Sequence, residues 1–201
     1  MKPARLIATA LAMALFSLSA AATDSPFGHF IGKFVAEFED DGRKVKLIEP
    51  YGFVDPAGEE WRVPQGYQTD GASVPGVLWA LYPPFTGNYR SAAVIHDYYC
   101  EIKVRNWEDT HKVFYFAMRT ANVDEKTAKI MYGAVYLFGP RWGPDTEPGQ
   151  RNAATSATAA KQEQVVKELQ DLVEKENPDL ATLVSKAKRL SAKATGLPSA
   201  Y

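Results

Sequence analysis

The chain has 201 residues, 23 Lys and Arg against 24 Asp and Glu, three His and one Cys. A net charge of −1 gives no long-range attraction to nucleic acid or anionic lipid. A lone cysteine excludes an internal disulfide framework, and the length suits one domain with a core plus an appendage.

The first residues read as a secretory leader. Lys2 and Arg5 form a basic start, Leu6 to Leu18 is apolar and uncharged, and Ala20-Ala21-Ala22 is an A-x-A cleavage site. The apolar run falls short of the roughly 20 residues a spanning helix needs. Cleavage after Ala22 removes both basic residues, moves the net charge from −1 to −3, and implies a periplasmic or secreted protein.

Phe27 to Pro64 has the alternation of antiparallel strands. Phe34, Ala36 and Phe38 alternate with Val35, Glu37 and Glu39, and the Asp40-Asp41-Gly42 turn leads into Lys44 to Leu47. Tyr51–Val54 and Trp61–Val63, joined by Asp55-Pro56-Ala57-Gly58, form a second predicted hairpin. Three or four strands result, with one face needing cover.

Three helices follow. Tyr89 to Ile102 is apolar at helical spacing through Ala92, Ala93, Ile95, Tyr99 and Ile102. Asn106, with Asp109 three residues on, opens a second helix with Val113, Phe114, Ala117 and Met118 on one face. Asp124 caps a third, Glu125 to Phe138, with a stripe of Ala128, Met131, Tyr132 and Val135, and Gly139-Pro140 stops it. Short connections favour antiparallel packing of the three. Residues 143–160 turn to Pro, Gly, Ser, Thr and Ala and read as a linker. Beyond it, Val165, Val166, Leu169, Leu172 and Val173 share one face. Asn177-Pro178 breaks this helix and, as cap and first-turn residue, starts another that carries Leu183, Val184, Ala187 and Leu190. This hairpin, residues 161–196, either packs on the domain or a protein partner or is a frayed tail.

The polar residues concentrate between Thr69 and Phe114. In Thr69-Asp70-Gly71-Ala72-Ser73-Val74-Pro75, a carboxylate beside a glycine can present oxygens to a hard cation, or Asp70 can bond its own backbone in a simple turn. His96-Asp97 interrupts an apolar helix, and burying either residue without a partner is costly. Cys100 reads as a small buried apolar side chain rather than a reactive thiol. A transition-metal site on His96, His111 and Asp97 is a further reading, without an H-x-x-x-H spacing to carry it.

TDGASVP, AAVIHDYYC, HKVFYFAM and AKIMYGAVYLFGPRW, in that order, resemble the bacterial and phage family labelled domain of unknown function 1353. The likeness runs from about Phe30 to Trp142. The same order is similar to the small bacterial secreted phospholipases A₂. The elements read above make an α+β fold, a small antiparallel sheet followed by three helices in a core domain over residues 23–142, and the resemblance implies that the three-helix part is phospholipase A₂-like. It also implies Ca²⁺ held by Asp70, Asp97 and the Gly71 carbonyl, His96 as general base, Tyr132 as a supporting hydrogen-bond donor, and phospholipid or another ester as substrate. The chain departs from the phospholipases at the aspartate that orients their histidine. His111 takes its place, and Asp109 lies two residues earlier, about 200° away around the helix. Their bracing cysteines are also missing. Two functional readings therefore stand: a calcium-dependent ester hydrolase, or a non-enzymatic envelope or phage-related domain that keeps the scaffold.

Overall fold

A computed structural model describes residues 25–40, 44–70, 76–78, 87–143 and 159–195. The leader, Gly71 with the rest of its loop, and most of the linker lie outside the described residues.

Among the described residues, six strands form two three-stranded antiparallel sheets. Sheet one has the order β1 (His29–Ile31), β4 (Tyr51–Val54), β5 (Glu60–Val63), and sheet two the order β2 (Ala36–Phe38), β3 (Val45–Leu47), β6 (Gln68–Thr69). Both predicted hairpins are present as the β2–β3 and β4–β5 pairs. The β4–β5 turn is set by Asp55, whose Oδ1 accepts from Ala57 N and Glu59 N at 2.9 and 3.1 Å and whose Oδ2 accepts from Trp61 Nε1 at 3.1 Å. Gly58 sits in that turn at φ +84°, where a side chain would be strained. Strands β1 and β6, with three and two residues, carry too short a pattern to read from the sequence.

The cover predicted for the sheet comes from α1 (Arg90–Ile102). The Tyr99 ring meets Trp61 of β5 at 4.8 Å, and its hydroxyl accepts from Arg62 N at 2.9 Å. Tyr51, Phe53, Trp61 and Val63 are buried beneath it, each large side chain contributing about 1.5–3 kcal/mol of transfer free energy. Ile102, expected in the buried stripe, is 37% exposed, because Lys103 ends the helix with a left-handed backbone at φ 56°.

Helix α2 (Trp107–Thr120) opens on Asn106, whose side chain accepts from Glu108 N and Asp109 N at 2.7 and 3.4 Å. Helix α3 (Glu125–Phe138) opens on Asp124, which accepts from Thr127 N at 2.9 Å. Contacts between Trp107 and Tyr136 and between Tyr115 and Tyr132 show that α2 and α3 run antiparallel.

Burial pushes the Asp124 carboxyl up, but the hydrogen bonds from Thr127 outweigh it and hold the group below its usual value of 3.8. Its contribution is therefore complete above pH 3.8 and disappears as pH falls through the depressed folded value. Asp124→Ala should cost about 1 kcal/mol at pH 7, the usual loss of an N-cap, and nothing below both values. Urea midpoints at neutral and strongly acidic pH check this.

The C-terminal segment forms two helices, α4 (Ala159–Glu176) and α5 (Leu180–Thr195), and they pack on α3. Leu169 is fully buried against Gly133, where an added Cβ would come within 2.8 Å of Leu169 Cδ2. Lys129 on α3 reaches Asn177 Oδ1 at 2.8 Å and Glu125 Oε1 at 2.6 Å. Sandwiched this way, α3 is buried all round from Ala128 to Phe138 rather than along one stripe. The break between α4 and α5 also differs from expectation. Asn177 closes α4 at φ 42°, and Asp179 is the residue that caps α5, accepting from Thr182 N at 2.9 Å.

Candidate functional site

The site forms where β6 ends against α1 and α2. The pairing of Val45 with Thr69 fixes β6 on sheet two and brings Thr69 beside Asp97 of α1. The Thr69 hydroxyl donates to Asp97 Oδ2 at 2.5 Å. Asp97 Oδ1 is buried without a hydrogen bond and stands 3.7 Å from His96 Nδ1. These groups border a cavity of about 370 Å³, lined by Thr69, Asp70, Asp97, Cys100, Glu101 and Pro140 together with Tyr67, Gln68, Lys44 and Lys103. Burial, then the charges of Asp97 and Glu101, push the Tyr67 hydroxyl far up, so it stays protonated as a donor at this wall.

Behind the cavity wall lie the two imidazoles. His96 and His111 are fully buried, and His96 Nε2 is 2.8 Å from His111 Nδ1. Cys100, one turn beyond His96, places Sγ 3.5 Å from His96 Nε2. Phe114 flanks the His96 ring at 4.9 Å, while Trp107 and Trp142 flank His111 at 5.5 and 6.4 Å. Residues 139–142 wrap this end of α2: Trp142 Nε1 donates to Arg105 O at 2.7 Å and Arg141 stacks 4.8 Å from the Trp107 ring. Gly139 passes so close that a Cβ there would lie 3.0 Å from His111 Cε1 and 2.4 Å from Val135 O.

The paired rings are pushed in opposite directions. Burial lowers the His96 pKa, but Cys100 and then Asp97 more than offset it and raise the group to about 10. Burial, then repulsion from His96 and Arg141, pushes His111 well below its usual value. Any proton the pair holds is therefore favoured on His96 over His111.

Of the residues expected at a site, Asp70 and Asp97 share the cavity, and His96 and His111 meet behind it. Asp70 is exposed, and Gly71 is outside the described residues. Asp109 is exposed in the first turn of α2, its N–H given to the Asn106 cap, with the angular separation from His111 that the sequence implies. Tyr132 is buried on α3 in a row with Tyr115 and Tyr136, and burial followed by the charges of Glu108 and Asp109 raises its hydroxyl pKa. Cys100 was not among the expected site residues, although its place four residues after His96 is the spacing that puts two side chains on one helix face.

Fold and site together define a small α+β domain, with a polar cavity beside α1 and a buried imidazole pair behind its wall. Residues 45–135 match the family described as "Protein of unknown function (DUF1353)", a region that contains Asp70, His96, Asp97, Cys100 and His111. Two proteins of Sinorhizobium fredii (strain NBRC 101917 / NGR234) are similar over much of the chain. "Uncharacterized protein y4jT" is 42% identical over 135 residues, covering 66% of this chain and 40% of its own length. "Uncharacterized protein y4iH" is 40% identical over 127 residues, covering 62% and 53%. The chain thus spans about half or less of the length of these curated relatives. No solved structure matches it.

Proposed function

We propose that this chain is an exported ester hydrolase whose substrate enters the cavity beside Thr69 and Asp97. The observation that carries this reading is the row of polar groups that runs from the cavity into the core. Thr69 bonds Asp97, Asp97 faces His96 at 3.7 Å, and His96 bonds His111 at 2.8 Å. Four buried polar side chains in a row oppose stability unless each finds a partner, and such clusters of perturbed groups beside a cleft are candidate reaction centres. Export rests on the leader read in residues 1–22, and an ester substrate on the phospholipase-like motif order.

A general base must come within hydrogen-bond reach of the water it activates. Asp97 lines the cavity, whereas His96 is sealed behind it. In this reading Asp97 takes a proton from water as the water oxygen adds to the ester carbonyl and returns that proton to the departing alkoxide, while the buried His96–His111 pair holds Asp97 in place. The base role expected of His96 thereby passes to Asp97. Calcium remains a proposal at the cavity. Asp70, Asp97 and the Thr69 hydroxyl offer the oxygen chemistry it takes, but only part of its usual six to eight ligands. No step is routed through it.

The test is fatty-acid release from phosphatidylcholine vesicles and hydrolysis of p-nitrophenyl butyrate by the chain from Thr23 onward. Asp97→Asn should lower turnover by roughly 100-fold or more while leaving the circular dichroism unchanged. No turnover by concentrated wild-type protein, or equal turnover by Asp97→Asn, would remove this reading. The second reading, a binding domain that keeps the scaffold, is favoured by the sealed position of His96. It would be supported by calcium raising the melting temperature of wild type, but not of Asp97→Asn, without turnover.

A further inference from the structure

We propose that His96, Cys100 and His111 form a binding site for one divalent transition metal of the zinc or cobalt kind. Their ligand atoms lie within 4.8 Å of one another, and all three side chains are buried. His96 and Cys100 stand one turn apart on α1, and His111 faces them from α2.

The distances suit a tetrahedral shell. With Zn–N of about 2.0–2.1 Å and Zn–S of about 2.3 Å, N···N edges are about 3.4 Å and N···S edges about 3.6 Å. Cys100 Sγ to His96 Nε2 is 3.5 Å, already at that edge. His96 Nε2 to His111 Nδ1 is 2.8 Å, so the rings need to part only slightly to admit an ion. Two imidazoles and a thiolate are a borderline-to-soft set, which favours zinc, cobalt or copper over calcium or magnesium.

The outward-facing nitrogens supply an independent argument. A metal-bound imidazole almost always gives its other N–H to a carboxyl group or a backbone carbonyl. His96 Nδ1 faces Asp97 Oδ1 at 3.7 Å, and His111 Nε2 faces the Gly139–Pro140 turn, with the Pro140 carbonyl on that side. Both Asp97 Oδ1 and His111 Nε2 are buried and have no hydrogen-bond partner, which leaves Asp97 Oδ1 and the Pro140 carbonyl as the oxygens the rings face. A metal at the shared point would fix each ring with its free N–H toward these two oxygens. Cys100 also borders the cavity, so a fourth ligand such as water has a route from that side. Three protein ligands and an open position are the pattern of catalytic zinc. The site stands whether or not the cavity hydrolyses an ester.

The experiment uses the chain from Thr23 onward without a purification tag, dialysed against chelator and titrated with cobalt(II). The expected result is one equivalent bound, visible tetrahedral d–d bands, and a near-ultraviolet thiolate-to-cobalt charge-transfer band. Cys100→Ser should keep the circular dichroism of wild type, lose the charge-transfer band and bind roughly tenfold or more weakly. Asp97→Asn should weaken binding by roughly 10–100-fold with the band retained, as expected for an oxygen that supports a ligand. Cobalt bound without the charge-transfer band, equal binding by Cys100→Ser, or no stoichiometric binding each overturns the proposal. Ester turnover that survives chelation with no cobalt spectrum would sink this site and leave the hydrolase reading. Metal binding without turnover would do the reverse.

Discussion

Metal-free His111→Ala should be less stable than wild type by about 3 kcal/mol, read as a fall in urea midpoint at constant slope. Two losses combine. The ring is fully buried between Trp107 and Trp142 and against Gly139, so its removal leaves a hole that rigid aromatic neighbours cannot collapse into. Such cavities add tens of calories per mole for each cubic ångström. The same change strips His96 Nε2 of its 2.8 Å partner, and an orphaned buried polar group costs about 1–3 kcal/mol. His111→Asn can return an amide to the neighbourhood of Nδ1 and should recover about 1 kcal/mol. A loss below about 1 kcal/mol for His111→Ala would mean that the imidazole pair contributes little to the fold.

The sequence revealed most where one local rule acted alone. Asn106 and Asp124 are caps whose chemistry acts within three residues, and both cap as their positions suggest. The β4–β5 hairpin follows from Asp55 to Gly58 for the same reason. Strand β6 was hidden because two residues show no period, yet it is the element that carries Thr69 to Asp97. The all-round burial of α3 was also hidden, since a stripe of apolar residues cannot show how many neighbours a helix has. Asn177 misled because its position before proline fits a cap, while the αL backbone at φ 42° makes it an ending.

The candidate site shows the same division. His111 was placed opposite His96 through the phospholipase-like alignment on Phe114, and the angular argument separated Asp109 from it. Cys100 was weighed as a lone cysteine, and alone it looks like packing. Taken with His96 it is an H-x-x-x-C pair on one helix face, a spacing as suited to a metal as H-x-x-x-H. What no count along the chain could supply is the fold-back of residues 139–142, which closes the far side of His111.

Leu169→Ala should be the most damaging change outside the site, with a loss of about 2–5 kcal/mol and one unfolding transition for the whole domain. Leu169 is fully buried on α4 and rests on Gly133, the one position of α3 with no side chain in the way. Truncating it leaves apolar walls on three helices, because Val165, Val173 and Leu183 are buried around it and belong to the same core as Met131 and Phe138. The contact of Lys126 with Glu174 at 2.5 Å sits near water and holds orientation more than stability, whereas Lys129 is buried where it meets Asn177. Residues 159–195 lie beyond the 45–135 family match, yet they supply the outer cover of α3, the helix whose end carries Gly139 over His111. Loosening α4 should therefore reach the imidazole pair through α3, and Leu169→Ala should weaken cobalt binding as well as stability. Two separate unfolding transitions, or a loss below about 1 kcal/mol, would show instead that the hairpin rests on the domain without being part of its core.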